Sequence, residues 1–222
     1  MPRSKPVRWI LKKRRNWRVS FFLDRVNVWP GMSILDVGCG PDGRSFELFV
    51  PDSYNITGVD LFPPEEVDVP HPNFTYLQQD ARDLSQFGDQ SFDLAISIGM
   101  MEHICDRTVL LDMAAEMKRV AKQLLVMVPW KYAVMEPHFF FPFFGVLPKH
   151  VQISLIKRHN LHGMAEMIRN DPNIFDENFQ WLSSQEWAGI FDATDVYVFT
   201  TLETIFIIKT SKPRQRRFRR SR

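Results

Sequence analysis

Cysteine is almost absent, and apolar residues never run long. The 222-residue chain has two cysteines, Cys39 and Cys105. Two thiols cannot staple a fold, so a disulfide framework is excluded and a reducing, cytoplasmic setting is expected. No window approaches ~18 consecutive apolar residues, which excludes a hydrophobic spanning helix. The first thirty residues lack the apolar run and small-residue cleavage site of a secretory leader, so none is expected. No internal repeat is visible. Acids are missing from both ends: residues 1–18 hold eight basic residues and none acidic, and 209–222 hold eight more on the same terms. Of 28 basic residues, 12 remain in 19–208 against all 26 acids, a net of −14. An acidic body thus carries two cationic segments, suited to an anionic membrane surface or RNA, or to folding back on the body. No obligate protein partner is evident. With 45% hydrophobic and 24% charged residues, a wholly disordered chain is excluded. A chain of this length buries roughly 70% of its unfolded surface, so a single domain over 1–222 is expected.

Strand-like and helix-like patterns alternate. Residues 33–37 (SILDV), 55–60 (NITGVD), 74–78 (FTYLQ), 92–98 (FDLAISI) and 123–128 (QLLVMV) read as five strands. A helix is expected to begin at 44–50, a short helical turn falls at 65–69, and 110–121 (LLDMAAEMKRVA) has helical spacing. The latter part of 7–26 reads as an amphipathic helix covering a sheet edge. Such alternation predicts a parallel sheet. Beyond Pro129 the pattern breaks, and aromatics, prolines and histidines crowd 130–182, read as an insertion or lid over the acceptor side. Ser183 or Ser184 then caps a helix through Phe191, and 195–200 and 203–209 form a closing antiparallel hairpin. The expected fold is an α/β, Rossmann-like, mostly parallel seven-stranded sheet with helices on both faces. Residues 211–222 are expected to be a disordered basic tail.

Gly38, Gly40 and Gly43 stand between the first strand and the next helix, where glycine lets the backbone approach a ligand. Asp60 ends the second strand, placed to accept both hydroxyls of a ribose. A nucleoside-containing cofactor follows, and two classes compete. Asp36 beside the loop would repel the pyrophosphate of a nicotinamide cofactor. It would welcome the cationic amino-acid end of S-adenosylmethionine.

The motifs ILDVGCGPDG at 34–43, ITGVDL at 56–61, QQDARDL at 78–84 and QSFDLAISIGMMEHI at 90–104 resemble, in order and spacing, the class I S-adenosylmethionine-dependent methyltransferases of the type 11 group. The resemblance covers roughly 30–130. It departs at Asp42, where many members have glycine. It implies that Asp36, Gly38, Cys39 and Gly40 meet the methionine end, although Cys39 itself reads as a small filler. Asp60 would hold the ribose, with Leu61 on adenine. Asp80 would accept from the adenine amino group beside the Ala81 amide, and Ser97 and Ile98 would line the pocket near the sulfonium. Glu102–His103 resembles the family's EH pair. Some relatives hold a divalent metal with Glu-x-x-Glu-His, but Gly99 occupies the first position here, so no metal is expected.

The acceptor side rests on less. Glu136-Pro137-His138 and the aromatics after it resemble a segment of many type 11 members. His138 is the leading catalytic base, with Glu136 or His103 behind it. Residues 139–147 (FFFPFFGVL) read either as a core plug or as a greasy mouth for a lipid-linked or aromatic acceptor. The expected activity is methyl transfer to a small-molecule or lipid-linked saccharide acceptor, at oxygen. The rivals are an RNA methyltransferase using the basic segments, a non-catalytic S-adenosylmethionine-binding module, and a nicotinamide oxidoreductase disfavoured by Asp36.

Overall fold

Seven strands form one sheet in the order β3-β2-β1-β4-β5-β7-β6. They are β1 (Ser33–Val37), β2 (Asn55–Asp60), β3 (Phe74–Gln78), β4 (Leu94–Ile98), β5 (Leu124–Pro129), β6 (Asp195–Phe199) and β7 (Thr204–Lys209). The computed structural model describes residues 17, 20–21, 23–43, 46–47, 50–136, 138–139, 141–171, 173–199 and 204–210. The basic segments 1–18, apart from Trp17, and 211–222 lie outside the described residues. So does most of the expected helix at 44–50, of which Phe46, Glu47 and Val50 are described and buried. β1 to β5 are mutually parallel, β7 runs antiparallel to β5, and β6 antiparallel to β7. The closing hairpin is therefore as expected.

β1 is central because both its faces are apolar. Ile34, Leu35 and Val37 are fully buried, the signature of a parallel strand covered on both sides. On one face lie α1 (Arg107–Val120) and α5 (Ser184–Phe191). Leu110, Met113, Ala114, Met117 and Val120 make the buried stripe of α1 at three- and four-residue spacing. Asp106 caps α1 by accepting from the Thr108 and Val109 amides. The helix thus starts three residues before its apolar pattern. Ser183 caps α5 with a reciprocal Glu186 bond, and Trp187, Ile190 and Phe191 bury against the same core. The opposite face buries Val26, Met32, Phe46, Tyr54 and Phe206. There Phe21 meets Tyr197 and Phe199 edge-on, which places the N-terminal helical residues on the sheet edge, as expected. The anticipated turn at 65–69 is a single 3-10 turn at Pro64–Glu66.

Residues 130–182 are more ordered than their pattern suggests. They hold α2 (Lys149–His159), α3 (Ala165–Asn170) and α4 (Ile174–Asn178) around a third core of Phe139, Phe144, Ile156, Met164, Ile168, Phe175 and Phe179. These helices are short and carry little periodic signal, and aromatic packing holds them: Phe139 stacks on Phe144 at 4.3 Å and Phe179 on Trp181 at 6.1 Å. The two readings of 139–147 are both partly met. Phe139 and Phe144 are buried, while Phe143 and Val146 are exposed.

Gly58 lies where β2 passes under the glycine loop. A Cβ there would sit 2.5 Å from the Phe74 ring and 2.8 Å from Cys39 Sγ. Glycine-to-alanine changes at unstrained sites stabilise by about 0.4–1 kcal/mol. Gly58→Ala is expected to do the reverse, destabilising by about 1–3 kcal/mol through overpacking, read as a lower urea midpoint at unchanged slope.

Candidate functional site

The C-terminal ends of the parallel strands converge on a cavity of ≈ 340 Å³, within the size range of small-molecule sites. Gly38, Asp60, Leu61, Asp80, Ala81, Met100 and Ile104 are among its lining residues. Asp60 organises the rim. Its Oδ2 accepts from the Gly40 amide at 2.9 Å and its Oδ1 from the Leu61 amide at 2.7 Å. Gly38 and Gly40 have φ of 76° and 69°, the left-handed region open to glycine. A Cβ on Gly38 would also strike Met100 at 2.6 Å. Asp80 is engaged already: Arg82 Nη2 reaches its Oδ2 at 2.6 Å. The hydrogen bonds from Arg82 hold Asp80 below the usual carboxylate range. Leu61 is 67% exposed, an open apolar wall.

Five expected cofactor residues, Gly38, Asp60, Leu61, Asp80 and Ala81, therefore share one cavity. Asp36, Cys39, Gly40, Ser97 and Ile98 do not line it. Cys39 is buried, with its Sγ toward Gly58. Ile98 packs in the core of the other sheet face. Asp36 and Ser97 are wholly buried, and Ser97 Oγ has no hydrogen-bond partner among the described residues. Sequence reasoning did not single out Met100 and Ile104 within the 90–104 motif, nor Val109 and Met113, apolar wall residues beyond it. It also missed Glu47, which is buried and faces Asp36, so that a proton on Asp36 is shared between the two carboxyls. Burial first, then the Glu47 charge, holds Asp36 well above the usual carboxylate range. Behind the cavity, Asp36 and Glu47 are of the sign that suits the cationic end of S-adenosylmethionine, while Asp60 on the rim suits its ribose and the apolar wall its adenine, so the residues fit that cofactor.

A second cluster stands beside the cavity. Glu102 and His103 lie on the turn between Met100 and Ile104, both of which line the cavity. The insertion returns His138 to this turn, with Nε2 at 3.8 Å from Glu102 Oε1, while His103 Nε2 is 4.0 Å from the same oxygen. Glu136 is fully buried. Its Oε1 accepts from His138 Nδ1 at 2.8 Å, and its Oε2 from the His138 and Phe139 amides, both at 2.7 Å. Burial works against a charged His138, but the Glu136 hydrogen bond and charge outweigh it and raise its pKa. Burial lowers His103 and pushes Glu102 up to about 7. Gln180 fastens the insertion to the turn: its amide donates to the Glu102 carbonyl at 2.9 Å and its side chain to the Met101 and Ile104 carbonyls. The three catalytic candidates, His103, Glu136 and His138, are thus brought together, with Glu102 at their centre.

Residues 35–125 match the methyltransferase domain family. Over 108 residues the chain is 35% identical to 2-methyl-6-phytyl-1,4-hydroquinone methyltransferase of Synechocystis sp., covering 46% of this chain and 33% of that protein. Over 98 residues it is 29% identical to cyclopropane-fatty-acyl-phospholipid synthase of Escherichia coli, covering 42% and 25%. The chain thus spans a third or less of the length of these curated relatives. Among solved structures, a SAM dependent methyltransferase from Aquifex aeolicus shares the fold with a TM-score of 0.53 at 16% identity, covering 85% of this chain and 87% of that one. A cyclopropane-fatty-acyl-phospholipid synthase-like protein from Lactobacillus casei gives 0.54 at 16%, covering 87% and 74%. The sheet order and the glycine loop agree with the methyltransferase-domain match over residues 35–125, and the solved neighbours share the fold.

A raised Asp36 means that the folded state holds a proton the unfolded state gives up. Its contribution to stability is present below the unfolded carboxylate pKa, about 3.9, and is lost as pH rises through the raised folded value. Asp36→Asn is therefore expected to stabilise the ligand-free protein at pH 7, by about 1–3 kcal/mol, a Tm rise of roughly 2–10 °C. The same change should weaken cofactor binding. Differential scanning calorimetry with and without cofactor reads both.

Proposed function

We propose that the chain methylates a hydroxyl on a lipid-like small molecule received between the cavity and the Glu136–His138 pair. The observation that carries this reading is that pair: a buried carboxylate orienting an imidazole beside the turn that walls the cofactor cavity. Bound S-adenosylmethionine supplies the transferable methyl. The protein's own residues bind, orient and deprotonate. Asp60 holds the ribose hydroxyls while keeping the glycine loop in place, and Asp36 faces the ammonium end with Glu47 behind it. Leu61 and Met100 exclude water from the adenine. His138, with Nδ1 tied to Glu136, presents Nε2 to the acceptor proton. The lid formed by 130–182 holds the acceptor, since Gln180 ties it to the 99–104 turn.

The lipid-like character has separate support. Val134, Met135 and Phe143 are exposed on the segment closed by the Met135–Pro142 bridge and the Phe143-to-Val134 backbone bond, and Tyr132 and Val146 are exposed just beyond its two ends. Such a cluster of exposed apolar side chains suits an apolar ligand or surface. Both curated relatives carry a phytyl or fatty-acyl group in their names. Neither relative's name contains a sugar, so the proposal keeps the lipid part of the expected acceptor. The basic end segments are proposed to retain the protein on anionic lipid. Flotation of the full chain with anionic and neutral vesicles at low and high salt tests that, and retention on RNA alone would redirect it.

Two outcomes test the central reading. Asp60→Ala should lose tenfold to a hundredfold in S-adenosylmethionine affinity by titration calorimetry, as expected for about 1.5–3 kcal/mol of hydrogen bonds to a charged group. His138→Ala should keep cofactor affinity within twofold. Its transfer of labelled methyl to a lipid extract should fall by about 10²–10⁴. Full turnover in His138→Ala would remove the pair from catalysis.

A further inference from the structure

The histidines around Glu102 are oriented from behind. His103 Nδ1 lies 2.7 Å from the Asn178 carbonyl, and His138 Nδ1 lies 2.8 Å from Glu136 Oε1. A carbonyl and a carboxylate only accept, so each Nδ1 carries the proton and each neutral ring is left with a bare Nε2 lone pair. Both lone pairs face one oxygen, Glu102 Oε1, at 3.8 and 4.0 Å. Those separations are too long for hydrogen bonds. They are close to what two ligands of one ion require, since metal–ligand bonds of about 2.0–2.2 Å set neighbouring donors roughly 3–3.5 Å apart. One donor atom from each of the three residues lies within 4.8 Å of the others. Independently, Glu102 is only 3% exposed, and its Oε2 is buried without a hydrogen-bond partner. With both rings neutral, three electron-pair donors converge on one point.

We propose that Glu102, His103 and His138 bind one divalent transition-metal ion, with Glu136 and the Asn178 carbonyl as the outer acceptors that fix the two rings. Hydrogen-bonded partners behind ligating histidines are a general feature of metal sites. Two imidazoles and one carboxylate suit zinc, iron(II) or cobalt(II) better than magnesium or calcium, which prefer oxygen ligands. Three protein ligands leave a coordination position open. An acceptor hydroxyl on the open position would lose its proton more readily. This role rests on the methyl-transfer reading: without the ion His138 Nε2 is the base described above, and with the ion bound the metal takes over that part. Counting ligands along 99–103 had excluded a metal, because the third donor comes from beyond β5, brought back by the fold of 130–182.

The test uses the full chain, stripped with chelator and then titrated with Zn²⁺ by calorimetry and with Co²⁺ by visible absorption. One equivalent should bind, with Co²⁺ bands of mixed nitrogen and oxygen coordination. Glu102→Gln and His138→Ala should each weaken binding at least a hundredfold. Glu136→Gln should weaken it tenfold to a hundredfold, the usual effect of losing an outer partner. Unchanged S-adenosylmethionine affinity in the same variants reports an intact fold. No binding by the natural chain, or binding that Glu102→Gln and His138→Ala leave within threefold, would overturn the proposal. Ion binding is read without turnover, so its failure leaves methyl transfer standing. Ion binding without methyl transfer to any acceptor would instead count against the function proposed above.

Discussion

The bond from the Gly40 amide to Asp60 Oδ2 governs the site. It joins the end of β2 to the loop that leaves β1, across two strands paired in register from Ser33↔Asn55 to Val37↔Val59. One carboxylate therefore positions the loop backbone and borders the cavity. The arrangement concentrates negative charge. Asp36 and Glu47 are buried under the same loop, and Asp36 is raised by both Glu47 and Asp60. The folded chain relieves that crowding by holding a proton on Asp36, and a bound cation would favour the ionised carboxylate instead. The cationic end of S-adenosylmethionine is of the right sign, and a nicotinamide pyrophosphate is of the wrong one.

The second half of the site depends on a different kind of contact. The insertion is held by aromatic packing around Phe139, Phe144 and Phe175 and reaches the Rossmann-like body through a few directed bonds, chiefly from Gln180 to the 101–104 backbone. That economy would suit the role proposed for the insertion, admitting an acceptor and then restoring a geometry. His138 meets Glu102 only because both ends of this connection are fixed.

Most of the sheet was legible because a parallel strand buried on both faces writes itself as a continuous apolar run, as in SILDV and LLVMV. Gly38 and the strand-end Asp60 followed from motif spacing, Leu61, Asp80 and Ala81 from the family resemblance, and the cavity gathers all five. Other features were not legible for identifiable reasons. Asp36 and Ser97 point into the buried layer, which a one-dimensional motif cannot distinguish from the cavity wall. The helices of 130–182 are short and held by tertiary aromatic contacts, so they leave no clear period. The Glu102 centre of the second cluster required knowing that residue 138 returns to residue 103, a contact between distant segments with no local signature.

Crystallising the chain with S-adenosylhomocysteine, the demethylated cofactor, tests the account most directly. The account predicts ligand density in the cavity between Asp60 and Met100, both ribose hydroxyls on the Asp60 carboxylate, and the amino group toward Asp36. Density lying elsewhere, or a ribose that does not touch Asp60, would contradict it.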